Sequence, residues 1–180
     1  MTERESALVE LVDEHGSPAG AVTVARAHDP PGRLHRAFSV IVVDPDGGDV
    51  LLQRRAAAKT RFPLRWANAC CGHPAPGESP AVAAGRRIGE ELGPVSTALT
   101  EVDVFRYRAT DPMTGLVEHE YDHVLLGYLP RSARFAPDPA EVAELRWVGR
   151  EQLRRELAEN AGSFAPWVEG VTRFLLAAPD

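Results

Sequence analysis

Between Asn68 and Gly93 the chain reads NACCGHPAPGESPAVAAGRRIGEELG, and no other stretch constrains the fold as strongly. It passes from an extended segment, Trp66–Gly72, through the loop PAPGESP into a helix. Ser79 stands at a capping position and Pro80 at the first helical position, where its missing N–H costs nothing. The helix is predicted to run to Leu92 and to stop at Gly93-Pro94. Side chains alternate along a strand, so Cys71 and His73 share one face, and Cys70 and Gly72 take the other. On the helix Arg87 and Glu91 lie four apart on one face, and Arg86 and Glu90 form a solvent-side pair.

Strands are predicted on both sides of this unit. Leu8–Asp13 and Ala21–Ala27 are the first two. Ala37–Val43 and Val50–Gln53, joined across DPDGGD, make the clearest hairpin. Val102–Arg108 and Glu118–Leu129 flank the turn Asp111–Gly115, and Glu144–Val148 is a short strand. Helices are predicted near Glu151–Asn160 and Trp167–Ala177. Strands around one central helix, with further helices at the end, describe an α+β fold, an α/β/α sandwich with a mixed sheet. No linker divides the chain, so residues 1–180 are predicted as one domain, with 149–180 the segment expected to close over a ligand.

Composition narrows the function classes. The net charge of −6 argues against a nucleic-acid partner. Of 20 basic residues, Lys59 is the one lysine, and Arg54, Arg55, Lys59, Arg61 and Arg65 form a basic island suited to an anion. Cys70 and Cys71 are adjacent and cannot staple a loop, which excludes a disulfide framework. There is no apolar run long enough to span a bilayer and no signal-peptide core at the N-terminus. A reduced, cytoplasmic, soluble protein is expected, without a membrane partner; oligomeric state is left open.

Five side chains suit a metal. Glu118 and Glu120 share a strand face from which His119 turns away. His28 and His35 lie seven apart across a Pro-Pro-Gly loop, and each alone is ordinarily a surface histidine. With His73 they offer three imidazoles and two carboxylates. That set differs from a closed tetrahedral zinc site and suits a five- or six-coordinate Mn²⁺ or Mg²⁺, with Zn²⁺ also compatible.

The central stretch resembles the Nudix box in the run Gly72-x5-Glu78-x7-Arg86-Arg87-Ile88-Gly89-Glu90-Glu91-Leu92-Gly93. Arg87 stands where the box has a glutamate, one of the group that in Nudix hydrolases holds Mg²⁺ at a diphosphate; a cation there argues against hydrolysis. The phrases Gln53-Arg54-Arg55-Ala56, Trp66-Ala67-Asn68-Ala69-Cys70-Cys71-Gly72-His73-Pro74, Phe105–Ala109, Val117–Glu120 and Phe164-Ala165-Pro166-Trp167 narrow the likeness. From about Leu8 to Trp167 the chain resembles the type 1 isopentenyl-diphosphate isomerases, a Nudix branch with a degenerate box.

The resemblance implies interconversion of isopentenyl and dimethylallyl diphosphate, a step in making isoprenoid precursors. It implies Cys71 and Glu120 as an acid–base pair, Glu120 delivering a proton and Cys71 removing one, with Tyr107 beside Glu120. It implies His28, His35, His73, Glu118 and Glu120 as metal ligands, and Glu91 as the contact of a second Mg²⁺ bound with the substrate. Arg55, Lys59 and Arg87 would grip the diphosphate. Trp167 would face a carbocation, with Trp66 a further wall of a dry, aromatic pocket. The family tends to carry a lysine four residues before the first metal histidine; here it is Val24, with Arg26 a candidate replacement. A Nudix hydrolase and a non-catalytic diphosphate-binding module are the alternatives.

Overall fold

A computed structural model describes residues 3–177. Its organising strand is β3, His35–Val43, whose sequence HRAFSVIVV is apolar on both faces and therefore needs cover on both. In chain order the strands before it are β1, Leu8–Val12, and β2, Pro18–Thr23. After it come β4, Val50–Arg55, β5, Trp66–Asn68, and β6, Cys70–Gly72. The last three are β7, Thr100–Thr110, β8, Val117–Tyr128, and β9, Val142–Val148. The helices are α1, Glu3–Ser6, α2, Val24–His28, α3, Pro80–Leu92, α4, Arg150–Glu159, and α5, Val168–Leu176.

The sheet is mixed. β3 runs parallel to β8 from His35↔Glu120 to Val43↔Tyr128, and β8 pairs antiparallel with β7. Along its other edge β3 meets three strands in turn: β1 at His35, β6 at Phe38–Val40, and β4 at Val43. Alternation then sorts the core. Phe38, Val40 and Val42 pack with Ala83, Ala84, Ile88 and Leu92 of α3 on one face. Ile41 and Val43 pack with Leu153 of α4 and with Val168, Val171 and Leu175 of α5 on the other. The segment after Gly149 is thus a layer of the core. Among the described residues, no helix is long and apolar enough to cross a membrane.

Four expectations change. The second strand begins earlier and ends at Thr23, whose hydroxyl accepts the Arg26 amide at 3.3 Å and turns Val24–His28 into a helical turn. The 37–53 hairpin pairs only at Val43↔Val50, because β4 leaves to join β5 and β9. Trp66–Gly72 is two strands broken at Ala69, since its first half pairs with β4 and its second with β3. Ser79 occupies the cap position of α3 without a side-chain cap bond; the loop is tied instead by the Ala75 amide donating to Glu78 Oε2 at 2.8 Å. α3 does end at Gly93, in the left-handed region at φ 89°, with the backbone of Ala136 against the place of a Cβ.

Candidate active site

The topology brings distant residues to one place. His28 arrives at the end of α2 and His35 at the start of β3; Glu120 is in register with His35 on the neighbouring strand. β8 alternates, so Glu118 and Glu120 point inward, both buried, and His119 turns to the Gly32 carbonyl. His73 follows directly on β6. One ligand atom from each of His28, His35, His73, Glu118 and Glu120 lies within 4.8 Å of all the others.

These residues fit a metal ion. His28 Nδ1 is 2.7 Å from the Val24 carbonyl and His35 Nδ1 is 2.7 Å from the Arg33 carbonyl. Each backbone contact fixes its ring with Nε2 facing the cluster, the outer support typical of metal-binding imidazoles. His35 Nε2 is buried without a hydrogen-bond partner and lies 3.7 Å from Glu120 Oε1. A buried nitrogen left so is costly unless something else binds it. His73 Nε2 lies 3.0 Å from Glu120 Oε1, and its pKa is lowered to about 4, chiefly by burial, which favours the neutral imidazole that a metal needs. Burial also works against charge on His28, yet Glu118, 2.8 Å away, raises it overall.

Beside the cluster opens a cleft of about 750 Å³. Cys71, His73, Tyr107, Glu118, Glu120 and Trp167 line it, and so do Arg4, Arg55, Lys59, Arg61, Arg87 and Glu141. The face assignment within the cysteine pair holds. Cys71 reaches the cleft, whereas Cys70 is fully buried with α3. Cys71 Sγ donates to Asn68 Oδ1 at 3.2 Å, and the same oxygen accepts Trp167 Nε1 at 3.0 Å. Burial first, and then the neighbouring Asp122, push the Cys71 thiol up to about 12. Glu120 behaves oppositely: burial disfavours its charge, but the imidazoles of His35 and His73 hold it well below the usual carboxylate range. Tyr107 donates to Glu120 Oε2 at 2.7 Å. One cleft therefore holds a protonated thiol and an ionised carboxylate, with an aromatic wall of Tyr107 and Trp167.

The cations gather at the other end. Lys59 Nζ is 2.5 Å from Glu141 Oε2, Arg4 pairs with Glu141 at 2.7 Å, and Arg87 lies 3.6 Å from it. Arg87 also pairs with Glu91 and Glu90. Glu91 is buried beneath them, 3.9 Å from Lys59 Nζ, and is not in the cleft wall. Arg55 lies 5.3 Å over the Trp167 ring and spends two of its nitrogens on the carbonyls of Phe62 and Arg61.

Trp66 is a correction. It packs into the α4/α5 side of the core with Arg146 stacked 4.2 Å over its ring, outside the cleft. Arg26 is exposed and also outside, while Val24 lines the cleft. Sequence reasoning missed Asn68, Ser39, Asp122 and Glu141, and placed Arg61 only in an anion-binding island. Asp122 was reachable by carrying the period-two count of Glu118 and Glu120 one step on. Its partner Ser39, 2.7 Å away, faces Cys71 through strand pairing that local pattern does not reveal.

A NUDIX domain matches residues 33–168. A Nocardia farcinica protein named isopentenyl-diphosphate Delta-isomerase is 59% identical over 170 residues, covering 94% of this chain and 95% of that one. A Streptomyces coelicolor protein of the same name is 46% identical over 163 residues, covering 91% and 80%. Among solved structures, DR0079 from Deinococcus radiodurans matches with a TM-score of 0.72 at 21% identity, over 92% of this chain and 98% of its own, a likeness of fold alone.

Proposed function

Since this chain belongs to the isopentenyl-diphosphate Delta-isomerase family within the NUDIX superfamily, we propose that it interconverts isopentenyl and dimethylallyl diphosphate by proton transfer between Cys71, Glu120 and the substrate. The observation that carries this reading is that Cys71 and Glu120, the latter held by Tyr107, open onto one aromatic-walled cleft, with the thiol's pKa raised and the carboxylate's lowered. Moving a double bond needs one proton added at one carbon and another removed elsewhere. Two groups of opposite protonation preference, each able to serve either direction, meet that need.

Glu120 delivers the proton in the forward direction and Cys71 removes one. Cys71 favoured as a thiol and Glu120 as a carboxylate is the pairing from which the reverse direction starts. Tyr107, with its phenol held protonated by burial and then by Glu120, orients the Glu120 carboxylate. Tyr107 and Trp167 keep water from the cationic carbon and offer it their ring faces.

The residues that would hold a divalent ion are His28, His35, His73, Glu118 and Glu120, with Mn²⁺ or Mg²⁺ the metal proposed and Zn²⁺ also compatible. Such an ion supplies positive charge that favours the ionised form of Glu120. Lys59 and Arg87, with Arg55, bind the diphosphate, and Glu91 is assigned to a Mg²⁺ arriving with it. The cytoplasm is the compartment proposed.

The test is incubation of the protein with isopentenyl diphosphate and Mg²⁺, following both the isomer and free phosphate. Dimethylallyl diphosphate without phosphate is expected. Phosphate release would make the protein a hydrolase, and neither product would leave a binding module.

A further inference from the structure

We propose that Arg61, a residue to which the family likeness gives no role, is a positioning residue for Glu118: it holds one carboxylate oxygen so that the other faces the histidines. The proposal rests on reading the His/Glu cluster as a divalent-metal centre.

The contacts divide Glu118 in two. Its Oε2 lies 2.8 Å from His28 Nε2, and its Oε1 accepts from Arg61 Nε at 3.1 Å. Both side chains are nearly closed to solvent, with 9% of Arg61 and 6% of Glu118 exposed. A carboxylate free to rotate can offer a cation either oxygen, or both. One that is held by a guanidinium on its far oxygen presents a single, fixed one.

A cation beside a cation site would ordinarily repel the ion it serves. Here Arg61 Nη1 also meets both oxygens of Glu5, at 3.0 and 3.3 Å, so an anion from α1 offsets the charge that Arg61 brings. The loop is bent to deliver it. Phe62 and Leu64 both sit at positive φ, 46° and 59°, a conformation that L-residues avoid. Such strain persists only where the surroundings hold it. The holders are visible: Arg55 donates to the carbonyls of Arg61 and Phe62, and the Phe62 amide donates to Asp111 Oδ2 at 3.1 Å. Asp111 also ties the turn before β8, through the Met113 amide and the Thr114 hydroxyl. The turn that leads into Glu118 thus anchors the loop that carries Arg61.

The test compares Mn²⁺ affinity, by calorimetric titration of the metal-free protein, among wild type, Arg61→Ala, Arg61→Lys and His73→Ala. The visible spectrum of each Co²⁺-loaded protein is recorded alongside, because it follows ligand geometry rather than stability. Arg61→Ala is expected to weaken Mn²⁺ binding about 10- to 100-fold, the usual cost of losing an outer-shell partner, and to change the Co²⁺ spectrum. Arg61→Lys, which keeps volume and charge but cannot fork between Glu5 and Glu118, is expected to show the same direction and decides the matter if the alanine variant does not fold. Wild-type or tighter Mn²⁺ binding by the Arg61 variants, with binding lost in His73→Ala, overturns the proposal. Unchanged binding in His73→Ala would overturn the metal-centre reading itself.

Discussion

Cys71→Ala is expected to abolish turnover while Cys70→Ala keeps most of it, because only one of these neighbours reaches the cleft. Rates of isomer formation by the two purified variants check this, and equal losses would sink the assignment. The prediction was legible in the sequence because strand alternation needs no tertiary knowledge. The same rule placed Glu118 and Glu120 inward and His119 outward. Residues brought in by strand pairing or by loops were not legible. Asn68, which joins Cys71 to Trp167, and Glu141, which gathers Arg4 and Lys59, carry no local signature, since Trp167, Arg4 and Lys59 lie far away in sequence. Arg61 stood inside a visible basic island, yet its direction depends on a bent loop that no periodicity announces.

Among the elements, that loop allows a direct check on strain. Leu64 is largely exposed and adopts φ 59°. Glycine carries no Cβ penalty there, although it loses more freedom on folding. Leu64→Gly is therefore expected to raise stability by up to about 1 kcal/mol in urea unfolding, and a clear loss would show the left-handed turn to be unstrained. Longer elements were read more reliably than shorter ones. α3 was bounded by Pro80 and Gly93, and β7 and β8 by the turn between them. The 37–53 hairpin was misjudged because DPDGGD makes a good turn whatever its flanking strands do next. Both strands found better partners, β3 in β8 and β4 in β9. Thr23 ended β2 early by capping, and so delivered His28 from a helical end. The segment beyond Gly149, expected to close over a ligand, packs into the core and brings Trp167 to the cleft, and α1 brings Arg4 and Glu5.

Across the whole molecule, charge links α1 to the rest. Glu141 joins Arg4 of α1 to Lys59. Burial alone would raise its pKa, but Lys59 and then Arg4 bring it down from 4.5 to about 2. A carboxylate lowered by folding stabilises the folded state above its unfolded pKa, and that contribution fades as pH falls from 4.5 towards 2. Glu141→Gln is therefore expected to flatten the acid side of the stability profile, with a smaller drop than wild type between about pH 5 and about pH 3 in urea midpoints. An unchanged profile would mean that the pair contributes nothing. The sandwich has one more consequence, through its adjacent cysteines. With one sulfur on the α3 side of the sheet and the other at the cleft, the pair cannot close into a disulfide without dismantling β6. Oxidants are thereby denied the quickest route to disabling the enzyme. The partner at the cleft, half-buried, is also favoured as a thiol over a thiolate, and a thiol is slow to react with peroxide or alkylating agents. A site proposed to move protons through sulfur is in this way kept poor at the covalent chemistry for which sulfur is better known.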